Sequence, residues 1–409
     1  MSKKGKIIFI VAIIFILAAV VIGVTFGLRK IQTIPQVTLP GSFPVASSSV
    51  GGDVSGSGGA ILPSGETSGE IEAEPSDLNR LIQLTKGPVI DYWIASTTVL
   101  GKSSTTTPSL LRSTVFYLTP GGDIVQVYDA GKEDTYFSFG LSPLKLIQSP
   151  SGQYIAITLQ TKRIALFDVT RRAFELLPEG VVSATFSSDG NKLAYLQADS
   201  SGKQSLYIRD LTSLKKTITK VFSLFIDDVS LSWPAGNNIY LIPPQSADAV
   251  GEIWYFNTAQ KTLNQFVSGS GVGMVVSQQA PYALLFKNTS NNNIATSLVN
   301  IKTGISTSLG VDTLASKCVF SFDSADALCA APQVKSRNIV SQLPDDYNNM
   351  SLFTNDYLYR LSADVGYQAQ TLLGTTQVPF DAKDLRSRAQ QVFFVNRLDD
   401  SLYVFDYKP

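Results

Sequence analysis

Residues 149–177 read SPSGQYIAITLQTKRIALFDVTRRAFELL, and the spacing within this stretch decides the fold. A polar turn precedes an apolar run over 154–159, a second turn precedes a run that ends at Asp168, and a third run occupies 174–177. Short apolar runs separated by turn residues are typical of antiparallel β-strands. Together with one segment before them, the three runs predict a four-stranded antiparallel unit.

The same unit recurs before and after this stretch. Turn signals that open the second strand of a unit stand at 150–152, 188–190, 234–236, 279–281 and 323–325. Their spacing of about 40 residues is the length expected of one four-stranded blade. One earlier and one final unit bring the count to seven, although six or eight also fit the pattern. The repetition predicts an all-β fold, a seven-bladed β-propeller over residues 78–409.

The two ends of this region lack complementary parts. The final unit provides an inner segment over 383–388 and two further strands, and so has only three strands. Residues 81–85 precede the first unit and have no unit of their own. Because an unpaired edge strand is an aggregation hazard, we expect 81–85 to complete the last blade, antiparallel to 401–407.

The repeated segments resemble the TolB-like and WD-repeat-like propeller families. The closest matches are SSDGNKLAYL at 187–196 and SLYIRDLT at 205–212. Where those families usually have Asp at the end of the third strand, this chain has Asn257, Asn300 and Ser362. The resemblance implies the fold and no particular activity. A narrower likeness, over 316–332 and 343–362, is to uncharacterised membrane-anchored propeller proteins of ultrasmall uncultivated bacteria.

The first 77 residues have a different composition. Residues 1–6 are basic and are predicted to form a cytoplasmic tail, while residues 7–28 are uncharged and apolar. A run of this length is sufficient to span a bilayer, so a transmembrane helix that acts as a signal anchor is expected, with a cleaved signal peptide as the alternative. The Gly/Ser/Pro/Glu-rich segment 31–77 is predicted to be a disordered linker. The excess of cations before the span places the N-terminus in the cytoplasm and the propeller outside.

Composition excludes several functions. Lys+Arg number 33 and Asp+Glu number 33, and the balance gives no reason to expect nucleic-acid binding. There is no histidine, which excludes histidine-dependent triads and removes the commonest metal ligand. Adjacent carboxylates such as Asp345 and Asp346 are expected to be solvated on turns. The sequence therefore predicts no catalytic residue, no metal and no cofactor.

Cys318 and Cys329 are the only two cysteines. They flank a turn almost symmetrically, so in an antiparallel hairpin they would face each other within reach of a disulfide. Two buried thiols are the alternative.

Two further places are candidates for function. Asp384, Arg386 and Arg388 lie on the predicted innermost strand of the last blade, where they could line the axial channel either as an anion site or as a wall of paired charges. The long connection 333–355 carries Asp345, Asp346, Tyr347, Met350 and Phe353, and it is either a binding loop or a cover over the channel mouth.

Two functional hypotheses follow. The first is a membrane-anchored, extracytoplasmic scaffold that binds a protein or ligand, with another envelope protein or polymer as its partner and without catalysis. The second is a cell-envelope hydrolase or lyase that acts on glycans or peptides with carboxylates gathered at the channel mouth.

Overall fold

The computed structural model describes residues 80–96, 111–213, 217–289, 294–332, 342–363, 366–374 and 379–407. The predicted tail, transmembrane segment and linker lie outside these ranges. Within the described ranges, no helix has the length and apolar character needed to cross a membrane.

The described strands form seven four-stranded antiparallel sheets, which are the blades of a seven-bladed β-propeller. From the inner to the outer strand, blade 1 contains β2 (Asp91–Ala95), β3 (Thr114–Leu118), β4 (Asp123–Asp129) and β5 (Lys132–Ser138). Blade 2 contains β6 (Pro143–Gln148), β7 (Tyr154–Leu159), β8 (Ile164–Asp168) and β9 (Ala173–Leu176). Blade 3 contains β10 (Val181–Phe186), β11 (Lys192–Ala198), β12 (Gln204–Asp210) and β13 (Ile218–Leu224). Blade 4 contains β14 (Ser230–Ser232), β15 (Asn238–Ile242), β16 (Val250–Asn257) and β17 (Thr262–Ser270). Blade 5 contains β18 (Gly273–Val276), β19 (Tyr282–Asn288), β20 (Ile294–Asn300) and β21 (Ser306–Ser308).

Blades 6 and 7 carry the irregular elements. Blade 6 contains β22 (Cys318–Phe320), β23 (Ala327–Pro332), β24 (Asp356–Leu361) and β25 (Ala369–Leu373). A 3-10 turn (Ala315–Lys317) leads into β22, and a short helix, α1 (Asp345–Asn348), lies in the connection between β23 and β24. Blade 7 contains β26 (Ala382–Arg388), β27 (Gln391–Asn396), β28 (Ser401–Asp406) and, as its outer strand, β1 (Leu81–Gln83).

Since neighbouring strands are antiparallel, the connections alternate between two faces of the ring. The upper face carries the connections from second to third strands, such as 160–163 in blade 2, and the connections from each blade to the next. The lower face carries the turns from first to second strands, such as 149–153. Because β1 is antiparallel to β28, which runs from the upper to the lower face, residue 80 lies on the lower side.

The apolar core is divided among the seams between blades. Each of seven buried clusters draws its side chains from two neighbouring blades; at the seam of blades 1 and 2, for example, Trp93 and Phe116 pack with Ile155 and Phe167. The cluster that joins blade 7 to blade 1 contains Phe393. Every blade therefore depends on both neighbours for burial of its apolar surface.

The ring is closed by β1. Leu81 pairs with Phe405 in an antiparallel register, and Leu84, which is fully buried, donates its N–H to the carbonyl of Leu402 at 2.8 Å. The N–H of Leu402 in turn donates to Thr85 Oγ1 at 3.1 Å. β1 thus supplies the fourth strand of the last blade, to which residues 382–406 contribute only three.

The polar residue at the end of a third strand caps the turn that follows. Asp168 Oδ1 accepts the N–H of Arg171 at 3.1 Å in blade 2. Asn257 Oδ1 accepts the N–H of Gln260 at 2.8 Å, and Asn300 Oδ1 likewise accepts the N–H of Thr303. A side-chain amide oxygen replaces a carboxylate oxygen in this role, which explains why Asn is tolerated where the related families have Asp.

The turn at 149–153, between β6 and β7, packs against blade 1. Gly152 has a φ of +74°, and a Cβ on it would lie 2.6 Å from the Cα of Ala95. A side chain there would meet the backbone of the neighbouring blade. The glycine therefore permits both the turn and the close approach.

Candidate functional site

A connection from blade 6 crosses the upper face. Asp345, at the start of α1, accepts hydrogen bonds through Oδ2 from the N–H of Ala247 at 3.1 Å and from the hydroxyl of Ser246 at 3.3 Å. Asn288 of blade 5 donates to the carbonyl of Leu343 at 3.2 Å. Residues 342–355, which we call the cross-segment, therefore reach from blade 6 over blade 5 to the β15–β16 connection of blade 4. The part of the predicted loop over 333–341 lies outside the described residues.

The five predicted loop residues divide into an anchored and an exposed set. Asp345 is bonded as above, and Asp346 Oδ2 accepts the N–H of Gln342 at 2.8 Å within the cross-segment. Met350 and Phe353 are 51% and 47% exposed. Tyr347, which the sequence groups with the contact residues, is instead buried, because its hydroxyl donates to Asp381 Oδ1 at 3.0 Å.

Beneath Tyr347 lies a buried ionic cluster that joins blades 6 and 7. Lys317 Nζ lies 2.5 Å from Asp356 Oδ2 and 2.6 Å from Asp381 Oδ1. Arg397 Nη1 lies 3.0 Å from Asp381 Oδ2. The two cations balance the two carboxylates, as buried charges require.

Arg397 also holds the cross-segment in place. Its Nη2 donates to the carbonyl of Tyr347 at 2.8 Å and to Met350 Sδ at 2.9 Å. Its guanidinium lies 3.7 Å from the centroid of the Tyr347 ring and 4.9 Å from that of Phe353. One buried cation thus fixes the positions from which Met350 and Phe353 are presented to solvent.

The predicted channel residues lie on the inner strand of blade 7, and the two arginines among them contact other blades. Arg386 Nη2 lies 2.9 Å from Asp91 Oδ1 and the guanidinium lies over the Tyr92 ring, both in blade 1. Arg388 is buried at the lower-face turns, where it donates to the carbonyl of Pro150 in blade 2 and lies 3.9 Å from Asp323 in blade 6. These contacts tie blade 7 to blades 1, 2 and 6. That Asp384, Arg386 and Arg388 together line an axial channel stays a prediction.

Asp384 occupies an irregular position in the same strand. It has a φ of +54° at the point where the pairing of β26 with β27 shifts register. Its side chain keeps access to solvent, but the protein around it desolvates the carboxylate. Desolvation raises the pKa of Asp384 to about 6; the nearby Asp91 carboxylate adds to the rise, and Arg386 opposes it.

Within the described part of the chain, a cavity of about 300 Å³ lies among the inner strands of blades 2 to 7. Most of its lining residues are apolar, among them Leu146, Leu231, Val276 and Phe320. The polar ones are Gln148, Thr185, Ser232, Gln278 and Arg386. Among the described residues, no group of three or more Cys, Asp or Glu is arranged to hold a metal ion.

Cys318 and Cys329 are directly opposite each other on β22 and β23 and form a disulfide, as the sequence predicts. The bond lies next to Lys317, so blade 6 has a covalent link and the ionic cluster at the same edge.

The sequence analysis missed Lys317, Asp356, Asp381 and Arg397. Each is of a residue type that is normally exposed. Asp356 begins β24, Asp381 directly precedes β26 and Arg397 directly follows β27, and at strand ends a polar residue ordinarily marks a turn. The signal that could have found them is weak, since only their convergence in space distinguishes them from other strand-end residues.

No established protein family matches the chain, and no curated protein matches it. Solved structures do. Oligogalacturonate lyase from Vibrio parahaemolyticus is similar with a TM-score of 0.52 and 10% identity over 80% of this chain and 94% of that chain. A chain of the mitotic checkpoint complex is similar with a TM-score of 0.50 and 10% identity over 85% of this chain and 100% of that chain.

TolB from Acinetobacter baumannii is similar with 17% identity and a TM-score of 0.42, over 72% of this chain. The match spans 64% of the TolB chain, less than two thirds of its length. Likeness at these identities concerns the fold alone. The seven four-stranded blades and the similarity to the WD40 repeats of RRP9 (TM-score 0.50, 9% identity) confirm the predicted propeller fold, while the narrower likeness to propellers of ultrasmall bacteria stays a prediction.

Proposed function

We propose that this protein is a binding module that holds a protein partner on its upper face, centred on the cross-segment. The observation that carries the proposal is the division within the cross-segment: its polar side is bonded into the ring, whereas Met350 and Phe353 remain exposed. Rigid presentation of apolar side chains lowers the entropy cost of binding.

The distribution of exposed apolar residues supports the choice of face. Twelve large hydrophobic residues are exposed among the described residues. Strand directions assign three of them, Tyr128, Ile218 and Ile305, to the lower face and the other nine to the upper face: Leu141, Leu144, Leu176, Val182, Phe225, Val250, Met350, Phe353 and Leu398. The face that carries the cross-segment therefore has most of the exposed large apolar side chains among the described residues.

Three of the nine share one support. Met350 and Phe353 both contact Arg397, and Leu398, which is 46% exposed, is the next residue in the chain. We call these three residues the apolar triad. Because the guanidinium of Arg397 is buried and bonded, it holds Met350 and Phe353 in place, and Leu398 follows Arg397 directly in the chain.

The direction of the chain also favours this face. Residue 80 lies on the lower side, so the segment before it joins the ring away from the triad. We propose that residues 7–28 anchor the chain in the membrane and that the partner is another protein of the cell envelope. In that arrangement the upper face is free to meet it.

The test is a capture experiment from native membranes with the full chain as bait. The variants Phe353→Ser and Leu398→Ser remove apolar contacts from the triad, and we expect each to lose the captured protein. Ile305→Ser is the matched control, since Ile305 is 68% exposed on the lower face. The proposal fails if Ile305→Ser loses the captured protein, or if both triad variants retain it.

A further inference from the structure

The Lys317 side chain is one of the most deeply buried charged groups of the protein, with 1% exposure. Its Nζ lies 2.5 Å from Asp356 Oδ2, 2.6 Å from Asp381 Oδ1 and 2.6 Å from Thr354 Oγ1. The Tyr347 ring covers this group, with its centroid 4.7 Å from Nζ. An amine therefore lies between two carboxyl groups in a place that excludes bulk water.

The two carboxyl groups are not equivalent. Asp381 Oδ2 lies 3.0 Å from Arg397 Nη1, and Asp381 Oδ1 accepts the hydroxyl of Tyr347 at 3.0 Å. Asp356 has no such second cation, and its Oδ1 is buried without a hydrogen-bond partner among the described residues. Burial raises the pKa of Asp356, with Lys317 opposing the rise.

The first step that this geometry permits is a proton transfer. Across the 2.5 Å between Lys317 Nζ and Asp356 Oδ2, one ammonium proton passes to the carboxylate. Arg397 and Asp381 remain as the ion pair. The transfer leaves a nucleophilic amine next to a protonated carboxyl group.

We infer that Lys317 and Asp356 join in an intramolecular isopeptide bond, with Asp381 as the group that moves the proton. Nζ attacks Cγ of Asp356, the N–C bond forms, and Asp381 Oδ1 accepts a proton from the nitrogen. Asp381 then returns that proton to the leaving hydroxyl, the C–O bond breaks, and one water is released. An ammonium and a carboxylate become an amide and water, so no oxidant or other co-reactant is needed.

The distances suit this reaction. A Nζ–Oδ2 separation of 2.5 Å puts the nitrogen about 3–3.5 Å from the carboxyl carbon, the range of a near-attack geometry. Asp381 Oδ1 touches the same nitrogen at 2.6 Å, within the range required of a general base.

The bond would have a structural consequence in blade 6. It links the residue before β22 to the first residue of β24, and so encloses the whole connection that contains the cross-segment. With the disulfide of the adjacent residue, the edge of blade 6 would then be closed by two covalent links.

The experiment is mass spectrometry of the purified full-length chain after reduction and alkylation. The expected mass is one water below the mass of the sequence. After tryptic digestion, a branched peptide should contain Lys317 uncleaved and joined to the segment that carries Asp356. A wild-type chain of full sequence mass, with cleavage after Lys317, would overturn the inference; so would a branch at Asp381.

Three variants separate the roles. Lys317→Arg keeps the charge and should restore the full sequence mass. Asp356→Asn should release ammonia in place of water and give the same amide product as the wild type. Asp381→Asn should leave most chains unlinked, and a fully linked Asp381→Asn chain would contradict its role as the base. The peptide map of the wild type remains decisive if a variant does not fold.

Discussion

Ring closure can be tested at Leu84, which is fully buried in the seam between blades 7 and 1. Replacing a buried leucine with alanine costs about 2–5 kcal/mol, because the apolar contacts are lost and a cavity remains. For a domain of this size, each kcal/mol corresponds to about 2 °C in the melting temperature. Leu84→Ala should therefore lower the melting temperature of the propeller by about 4–10 °C.

Thr85→Val tests the polar part of the same closure. Valine keeps the shape of threonine but removes the oxygen that accepts the N–H of Leu402, and an unsatisfied buried donor costs about 1–3 kcal/mol. Lys86→Ala is the matched control, since Lys86 is exposed and its replacement should change stability by less than about 0.5 kcal/mol. Differential scanning calorimetry measures all three. Melting temperatures of Leu84→Ala and Lys86→Ala that agree within error would refute closure by this segment.

Three further outcomes are expected. Replacing Cys318 and Cys329 together with alanine should destabilise the fold by about 2–3 kcal/mol in denaturant titration, as the loop they close is short; an unchanged midpoint would contradict this. The pKa of Asp384 is raised from 3.8 to about 6, so the folded state binds the Asp384 proton more tightly than the unfolded state does. The stability that this group contributes is therefore present below about pH 4 and is lost as the pH rises to about 6. Asp384→Asn should thus raise the melting temperature relative to wild type at neutral pH but not at about pH 4, and an equal effect at both would argue against the shift. Gly152→Ala should destabilise the fold more than Gly131→Ala. Both glycines have positive φ, but only a Cβ at position 152 meets the backbone of a neighbouring blade. Equal melting temperatures of the two variants would exclude that clash.

Much of the ring follows from local sequence. The runs over 154–159 and 164–168 form β7 and β8 because apolar residues between turn formers have few alternatives to an antiparallel pair. The closing strand was predictable by elimination, since a three-stranded last unit and a spare segment before the first unit require each other. The disulfide follows from the near-symmetrical placement of two cysteines about one turn.

The ionic cluster could not be predicted in the same way. Lys317 and Asp381 are 64 residues apart and belong to different blades, so no local pattern connects them. Tyr347 shows the same limit: an aromatic residue in a long polar connection favours a contact surface, yet its hydroxyl finds a buried carboxylate. Sequence reports the polarity of a position, whereas its partners depend on how distant segments pack.

The pairing of β1 with β28 also determines the order in which the chain can be completed during synthesis. Leu81 leaves the ribosome before any blade exists, but its partner Phe405 is translated only after the strands of blades 1 to 6. Blades 1 to 6 can form as they emerge, since each has its four strands in sequence, while the first strand waits unpaired for the last. A premature stop codon ahead of β28 would therefore produce an open ring with two free edges, one at each end of the array, and those edges could pair with another copy of the chain.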